Sequence, residues 1–116
     1  VLAGNATGTY LGKVAVARDA QKSDSVQSVK AMLLDRTATA NAKPELEIYA
    51  DDVKCAHGAT VGELDKQALF YLAARGLPPA EAKTLLLQAF IAEVFAGATD
   101  ADALTAAALA KLETLV

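Results

Sequence analysis

Cys55-Ala56-His57-Gly58-Ala59-Thr60-Val61-Gly62-Glu63-Leu64-Asp65 divides the 116-residue sequence into two kinds of pattern. Before it, apolar residues alternate in short runs separated by polar corners. After it they recur every three or four positions. The stretch also holds the only cysteine and the only histidine of the chain. Two positions apart on a strand, their side chains lie on one face. A soft thiolate beside an imidazole is half of a plausible metal or cluster site. Short motifs are weakly specific, and the structural alternative is a small buried thiol beside a hydrogen-bonded histidine.

Upstream, Leu46, Ile48 and Ala50 alternate with Glu45, Glu47 and Tyr49, the clearest strand signal of the chain. Asp51-Asp52 turns the chain, and Val53, Cys55 and His57 read as a second short strand. Tyr10 to Ala17 predicts a strand entered from Gly8 and broken at Gly12. Arg18 to Asp24 is polar and reads as a turn. Ser25 to Leu34 is ambiguous: Val26, Val29, Met32 and Leu33 fit helical spacing, whereas Val29, Ala31 and Leu33 fit a strand, and pattern alone leans to helix. Asp35 to Lys43 is a loop or a thin strand, and Pro44 discourages helix at Lys43. Short strands with corners and no helix-sized connection fit a coiled sheet such as a β-helix. The absence of a crisp repeat leaves a sandwich fragment open.

Downstream, Leu64, Ala68, Leu69, Tyr71 and Leu72 form a helical stripe with Asp65 as N-cap, and Arg75-Gly76 as the stop. Pro78-Pro79 suits the first turn of a second helix, about 80–96, ended by Gly97. Its expected inward set is Ala82, Leu85, Leu86, Ala89, Phe90 and Phe95. Thr99 with Asp102 resembles a capping box opening a third helix, about 100–115, whose stripe is Leu104, Ala108, Leu109, Leu112 and Leu115. Leu85-Leu86-Leu87 and Phe90-Ile91 cover most of the helix circumference. That surplus calls for a second docking surface, either the strand region of the same chain or a partner protein.

Composition removes several function classes. With 53% hydrophobic and 22% charged residues the chain is globular in composition. A net charge of −3 and no Lys/Arg run argue against nucleic-acid or anionic-membrane binding. The apolar run Leu85–Val94, interrupted by Gln88 and Glu93, is too short to span a bilayer. One cysteine permits no internal disulfide and fits a reducing compartment. Gly4-Asn5-Ala6-Thr7-Gly8 lacks the lysine of a phosphate loop, and one histidine without a nucleophile motif supports no hydrolytic triad. No self-contained active site is visible, so the chain is read as a non-enzyme. Its start at Val1, without Met and already in strand-like sequence, reads as a piece of a longer protein.

Lys43-Pro44-Glu45-Leu46-Glu47-Ile48-Tyr49-Ala50-Asp51-Asp52-Val53-Lys54-Cys55, His57-Gly58-Ala59-Thr60-Val61-Gly62, Leu64-Asp65 and Ala68-Leu69-Phe70-Tyr71-Leu72 with Arg75-Gly76 closely resemble the C-terminal part of the SufB/SufD family of iron–sulfur cluster assembly proteins, on its SufD side. The resemblance implies an α+β architecture: the end of a right-handed parallel β-helix (residues 1–61) followed by a small helical domain (62–116). It turns the reading of Ser25–Leu34 from helix to strand.

The resemblance further implies a scaffold subunit, cytoplasmic, in a complex with a SufB-like subunit at the β-helix end and a SufC-like ATPase on the helices. On the helical face Leu64, Leu69, Phe70, Leu72, Leu86 and Phe90 are the expected ATPase contacts. His57 takes the family's cluster-building role and is the expected iron ligand, with Cys55 beside it in a nascent-cluster site shared between subunits. No cofactor is expected to stay bound to this piece alone. SufB-like chains carry a reactive cysteine near the position of Ala38, which is absent here. An edge left by cutting such a coil has unpaired backbone groups, so self-association there is also expected. The alternative function is a purely structural adaptor that recruits the ATPase without ligating iron.

Overall fold

The structure, a computed structural model, describes residues 1–115. The chain separates into two compact units, Val1–Glu63 and Leu64–Val116; the sequence expectation placed the division two residues earlier.

The first unit contains four strands of ten residues each: β1 (Thr7–Val16), β2 (Asp24–Leu33), β3 (Thr39–Ile48) and β4 (Lys54–Glu63). Pairing skips one strand each time. β1 pairs with β3 in parallel, with Thr7 opposite Thr39 and Val16 opposite Ile48. β2 pairs with β4 in parallel, with Asp24 opposite Lys54 and Leu33 opposite Glu63. In both sheets the chain therefore returns to the neighbouring level after about thirty residues. Leu2 bridges Leu33 on the opposite side of β2 from β4, with its N–H on the Met32 carbonyl at 2.8 Å.

Alternation orients each strand. On β1, Gly8, Gly12, Val14 and Val16 are the less exposed set; on β2 it is Ser25, Gln27, Val29 and Ala31; on β3, Ala40, Ala42, Pro44 and Leu46. The buried apolar residues of this unit, Val16, Ala38 and Ala50, are small or β-branched and sit at strand ends and corners. Small side chains let the corners stack closely. At one corner the Lys22 N–H donates to the Asp52 carbonyl at 2.6 Å, the Asp52 N–H donates to Gln21 Oε1 at 2.9 Å, and the Lys22 ammonium pairs with the Asp52 carboxylate. Those bonds hold Lys22 at φ 64°, a left-handed conformation disfavoured for a side chain of its kind. At the other corner the Gly4 N–H donates to Asp35 Oδ2 at 2.6 Å and the Thr37 hydroxyl to the Gly4 carbonyl at 2.5 Å.

The structure corrects the pattern-only lean to helix at 25–34 and the break at Gly12, bears out the strand implied by the resemblance, and decides between loop and strand at 39–43. Residues 25–33 form strand β2, against their helical spacing: Val26, a member of the apparent helical stripe, is 75% exposed. Gly12 does not interrupt β1, because ladder bonds to β3 continue past it. Thr39–Lys43 belongs to a full-length strand, not a loop, since register with β1 supplies partners that its small, polar composition does not advertise.

The second unit comprises α1 (Lys66–Ala74), α2 (Pro79–Val94) and α3 (Ala101–Leu112). Asp65 caps α1 through Oδ1, which accepts from the N–H groups of Gln67 (2.8 Å) and Ala68 (3.3 Å). Gly76 follows the helix at φ +90°, and the Gly76 and Leu77 N–H groups close onto Ala73 and Leu72. Pro79 occupies the first turn of α2, where its missing N–H leaves no bond unmade.

Inside this unit Ala82, Leu87 and Leu112 are buried. Leu87 is the most enclosed large side chain and lies outside the expected inward set of α2, of which Leu85 is 47% exposed and Ala89 is exposed. A helix apolar on all sides gives no stripe from which to choose the inward face. The expected capping box on α3 is not formed: Asp100 occupies the N-cap without a side-chain hydrogen bond.

Candidate functional site

Strand β4 carries the two chemistry-bearing side chains. Cys55 is a half-buried free thiol, and His57, on the same face, is exposed. Register places Ser25 opposite Cys55 and Gln27 opposite His57. Paired residues of a parallel ladder project to one side of the sheet, so Ser25, Gln27, Cys55 and His57 share a face. From Ala56 to Glu63 every residue of β4 is exposed. The imidazole therefore stands on a rigid element, open to approach.

Gln27, the register partner of His57, is bonded to a second polar side chain. Gln27 Nε2 donates to the Tyr10 hydroxyl at 3.0 Å, joining β2 to β1. Gly12 makes room for both groups: a Cβ there would collide with the Tyr10 hydroxyl and the Gln27 amide. Gln27 Oε1 is buried and has no hydrogen-bond partner. Sequence reasoning passed over Gln27. Its only signal is its place about thirty residues before His57, which acquires meaning once the pairing offset is known.

Among the described residues no three His, Cys, Asp or Glu side chains come together in a way that could hold a metal ion. Cys55 and His57 carry side chains of the types known in mixed cluster ligation. Elsewhere, on the outer face of β1 and β3, the Lys13 ammonium donates to Glu47 Oε2 at 2.7 Å and the Tyr49 hydroxyl to Glu47 Oε1. The hydrogen bond from Lys13, then that from Tyr49, holds the Glu47 carboxyl below the usual glutamate range. Its carboxylate in turn raises both the Lys13 ammonium and the Tyr49 phenol. This group lies apart from the β2–β4 face in sheet and in register.

The helical candidates differ in exposure. Phe70 is 76% exposed, while Leu64, Leu69, Leu72, Leu86 and Phe90 are half-buried. At the C-terminal end of α1 the Arg75 guanidinium lies 4.3 Å from the centre of the Tyr71 ring. Tyr71, missing from the expected contacts, is 55% exposed.

Residues 1–90, which include Cys55, His57, Gln27 and the whole strand unit, match the family described as SUF system FeS cluster assembly, SufBD core domain. The chain belongs to the SufBD family. Over 85 residues it is 44% identical to the iron–sulfur cluster assembly protein SufD of Escherichia coli, covering 73% of this chain and 20% of that protein. A SufBD family protein of Synechocystis is 43% identical over 89 residues, 77% of this chain and 20% of its own. SufD of Bacillus subtilis is 34% identical over 94 residues, with coverage of 81% and 22%. The chain thus spans about a fifth of the length of these SufBD relatives. The SufBD match stops at residue 90, inside α2, so α3 lies beyond it. No helix among the described residues is long and apolar enough to cross a membrane.

Proposed function

We propose that this chain is part of a non-catalytic scaffold subunit of iron–sulfur cluster assembly, in which His57, with Cys55 beside it, ligates a nascent cluster. A SufB-like subunit supplies the remaining ligands. The cluster is cargo, formed on the scaffold and passed on. The observation that carries the reading is an exposed imidazole and a half-buried thiol on one face of β4, within the SufBD match. A neutral imidazole nitrogen and a thiolate are both competent iron donors, and two donors from one chain leave positions for a partner to fill.

The two parallel pairs are read as successive coils of a right-handed β-helix. The offset of about thirty residues in both sheets supports this, as does Leu2 beside Leu33. Right-handed connection is the rule for parallel strands joined by crossovers. The helical unit docks a SufC-like ATPase, with Phe70 as the most exposed apolar anchor, and the complex works in the cytoplasm.

Replacing His57 by Ala tests the site. In the complex reconstituted with SufB-like and SufC-like subunits, we expect assembly to be unchanged by gel filtration. Cluster formation, followed by visible absorption under sulfide or persulfide supply, is expected to be lost. An unchanged cluster yield leaves only the adaptor reading. In that case Leu86→Asp, which places a charge on the half-buried helical face, still abolishes ATPase binding.

A further inference from the structure

Gln27 Oε1 is the one buried side-chain oxygen or nitrogen without a hydrogen-bond partner among the described residues. Buried polar atoms are nearly always paired, and an exception asks for a reason. Turning the amide over exchanges the two ends and leaves Nε2 unpartnered instead, so either orientation leaves one polar atom free to bond. The amide is fixed by its other bond, to the Tyr10 hydroxyl at 3.0 Å, in space that Gly12 keeps open. Its register partner on the next strand is His57. In-register neighbours on adjacent strands lie about 4.8 Å apart at the backbone, within reach of a glutamine amide and an imidazole on the same face. His57 is exposed.

From this juxtaposition we infer that Gln27 is a positioning residue for His57. Its Oε1 accepts the N–H of one imidazole nitrogen and thereby presents the other, unprotonated nitrogen to the metal. Metal-ligating histidines almost always donate their second ring N–H to an oxygen, which fixes the tautomer and raises ligand basicity. The Tyr10 hydroxyl, bonded to the far side of the amide, holds Gln27 in that pose. The inference rests on the reading of His57 as a cluster ligand given above.

Two measurements separate the inference from that reading. The chain has a single histidine, so ring-labelled 15N-histidine reports His57 without ambiguity. Long-range 1H–15N spectra of the protein are expected to show one dominant tautomer. In Gln27→Leu they are expected to show the mixture typical of a free imidazole, and in Gln27→Glu, which keeps an acceptor at the same reach, one tautomer again. Equal tautomer ratios in all three proteins overturn the inference.

In the reconstituted complex Gln27→Leu is expected to lower iron affinity at the site about 10-fold, the lower end of the range for such outer hydrogen bonds. In a His57→Ala background the same change is expected to do nothing further. An additive loss in the double variant means that Gln27 acts on stability and not through His57, and also overturns the inference. Should His57→Ala leave cluster formation intact while the tautomer still depends on Gln27, the ligand reading fails and the hydrogen bond stands.

Discussion

The strand unit and the helical unit satisfy their backbones in different ways, and that difference decides what each can present. In the strand unit the ladder bonds join segments about thirty residues apart, and side-chain bonds at the corners lock successive levels. Its buried side chains are small: Val16, Ala38 and Ala50. Orientation is set by the backbone, so every residue at an odd position of β2 and β4 shares one face. In the helical unit each helix closes its own hydrogen bonds, and orientation depends on a few large side chains, chiefly Leu87 and Leu112. A donor whose direction must be held within about 10–20° is well served by the first kind of element. A docking surface, which needs area more than angle, is served by the second.

The sharpest way to break this contrast is to remove the helical anchor. Leu87 is 2% exposed. Leu87→Ala is expected to destabilise the helical unit by about 3 kcal/mol, the usual loss for a fully enclosed leucine. The check is urea unfolding followed by far-UV circular dichroism. Phe70→Ala, at a side chain 76% exposed, is expected to change stability by less than about 0.5 kcal/mol and, on the proposed docking role, to weaken capture of a SufC-like ATPase. If Phe70→Ala unfolds the helices as Leu87→Ala does, Phe70 is a core residue and the division of labour is wrong.

Next in size is Gly12. A methyl group there meets the Tyr10 hydroxyl and the Gln27 amide. Gly12→Ala is expected to cost about 1–3 kcal/mol, as overpacking does. Adding Tyr10→Phe, which deletes one of the colliding atoms, is expected to restore part of that loss. Thermal unfolding of the single and double variants measures it. No recovery in the double variant would place the strain in the β1 backbone and not in the side-chain cluster.

How much of this was legible beforehand follows from the same contrast. Most helix ends were readable because their signals are local: Asp65 caps α1, Gly76 and Gly97 take positive φ, and Pro79 opens α2, whereas the start of α3 was misread, its N-cap being Asp100 and not Thr99. The pair Cys55 and His57 stood out by residue type and spacing. β2 misled by pattern because polar Ser25 and Gln27 occupy its less exposed positions while apolar Val26 takes an exposed one. Val26 faces outward at 75% exposure and still mimics one turn of a helical stripe. Gln27 could not be connected to His57 without the register, which is a long-range property. Leu87 could not be told from Leu85 or Leu86, since three consecutive leucines erase the moment that marks an inward face. The family resemblance carried the strand assignment of residues 25–34 where periodicity leaned the other way.

A smaller effect compares two helix starts. Asp65 accepts two backbone N–H bonds, whereas the side chain of Asp100 accepts none. Asp65→Ala is expected to cost about 1 kcal/mol. Asp100→Ala is expected to be near neutral, keeping only the weak attraction of a carboxylate for a helix N-terminus. Equal losses at the two positions, measured by the same denaturant titration, would mean that Asp100 caps α3 in solution.

The smallest expected effect belongs to the exposed trio Lys13, Glu47 and Tyr49, and its value lies in its sign. Lys13 first, then Tyr49, lowers the Glu47 carboxyl. A lowered carboxyl stabilises the fold above its unfolded pKa, and that contribution is lost as pH falls through the folded value. Lys13 and Tyr49 are raised, first by their hydrogen bonds to Glu47. Their contributions are complete below their unfolded values and vanish as pH rises through the folded ones. The trio therefore acts across neutral pH and fades at both extremes. Being on the surface, it is weak and screened by salt. Glu47→Gln is expected to flatten the acid limb of the stability curve relative to the parent, with the difference shrinking at high ionic strength. Superimposable acid limbs at low salt would show that the Lys13–Glu47 contact adds nothing to the ladder bonds that align β1 with β3.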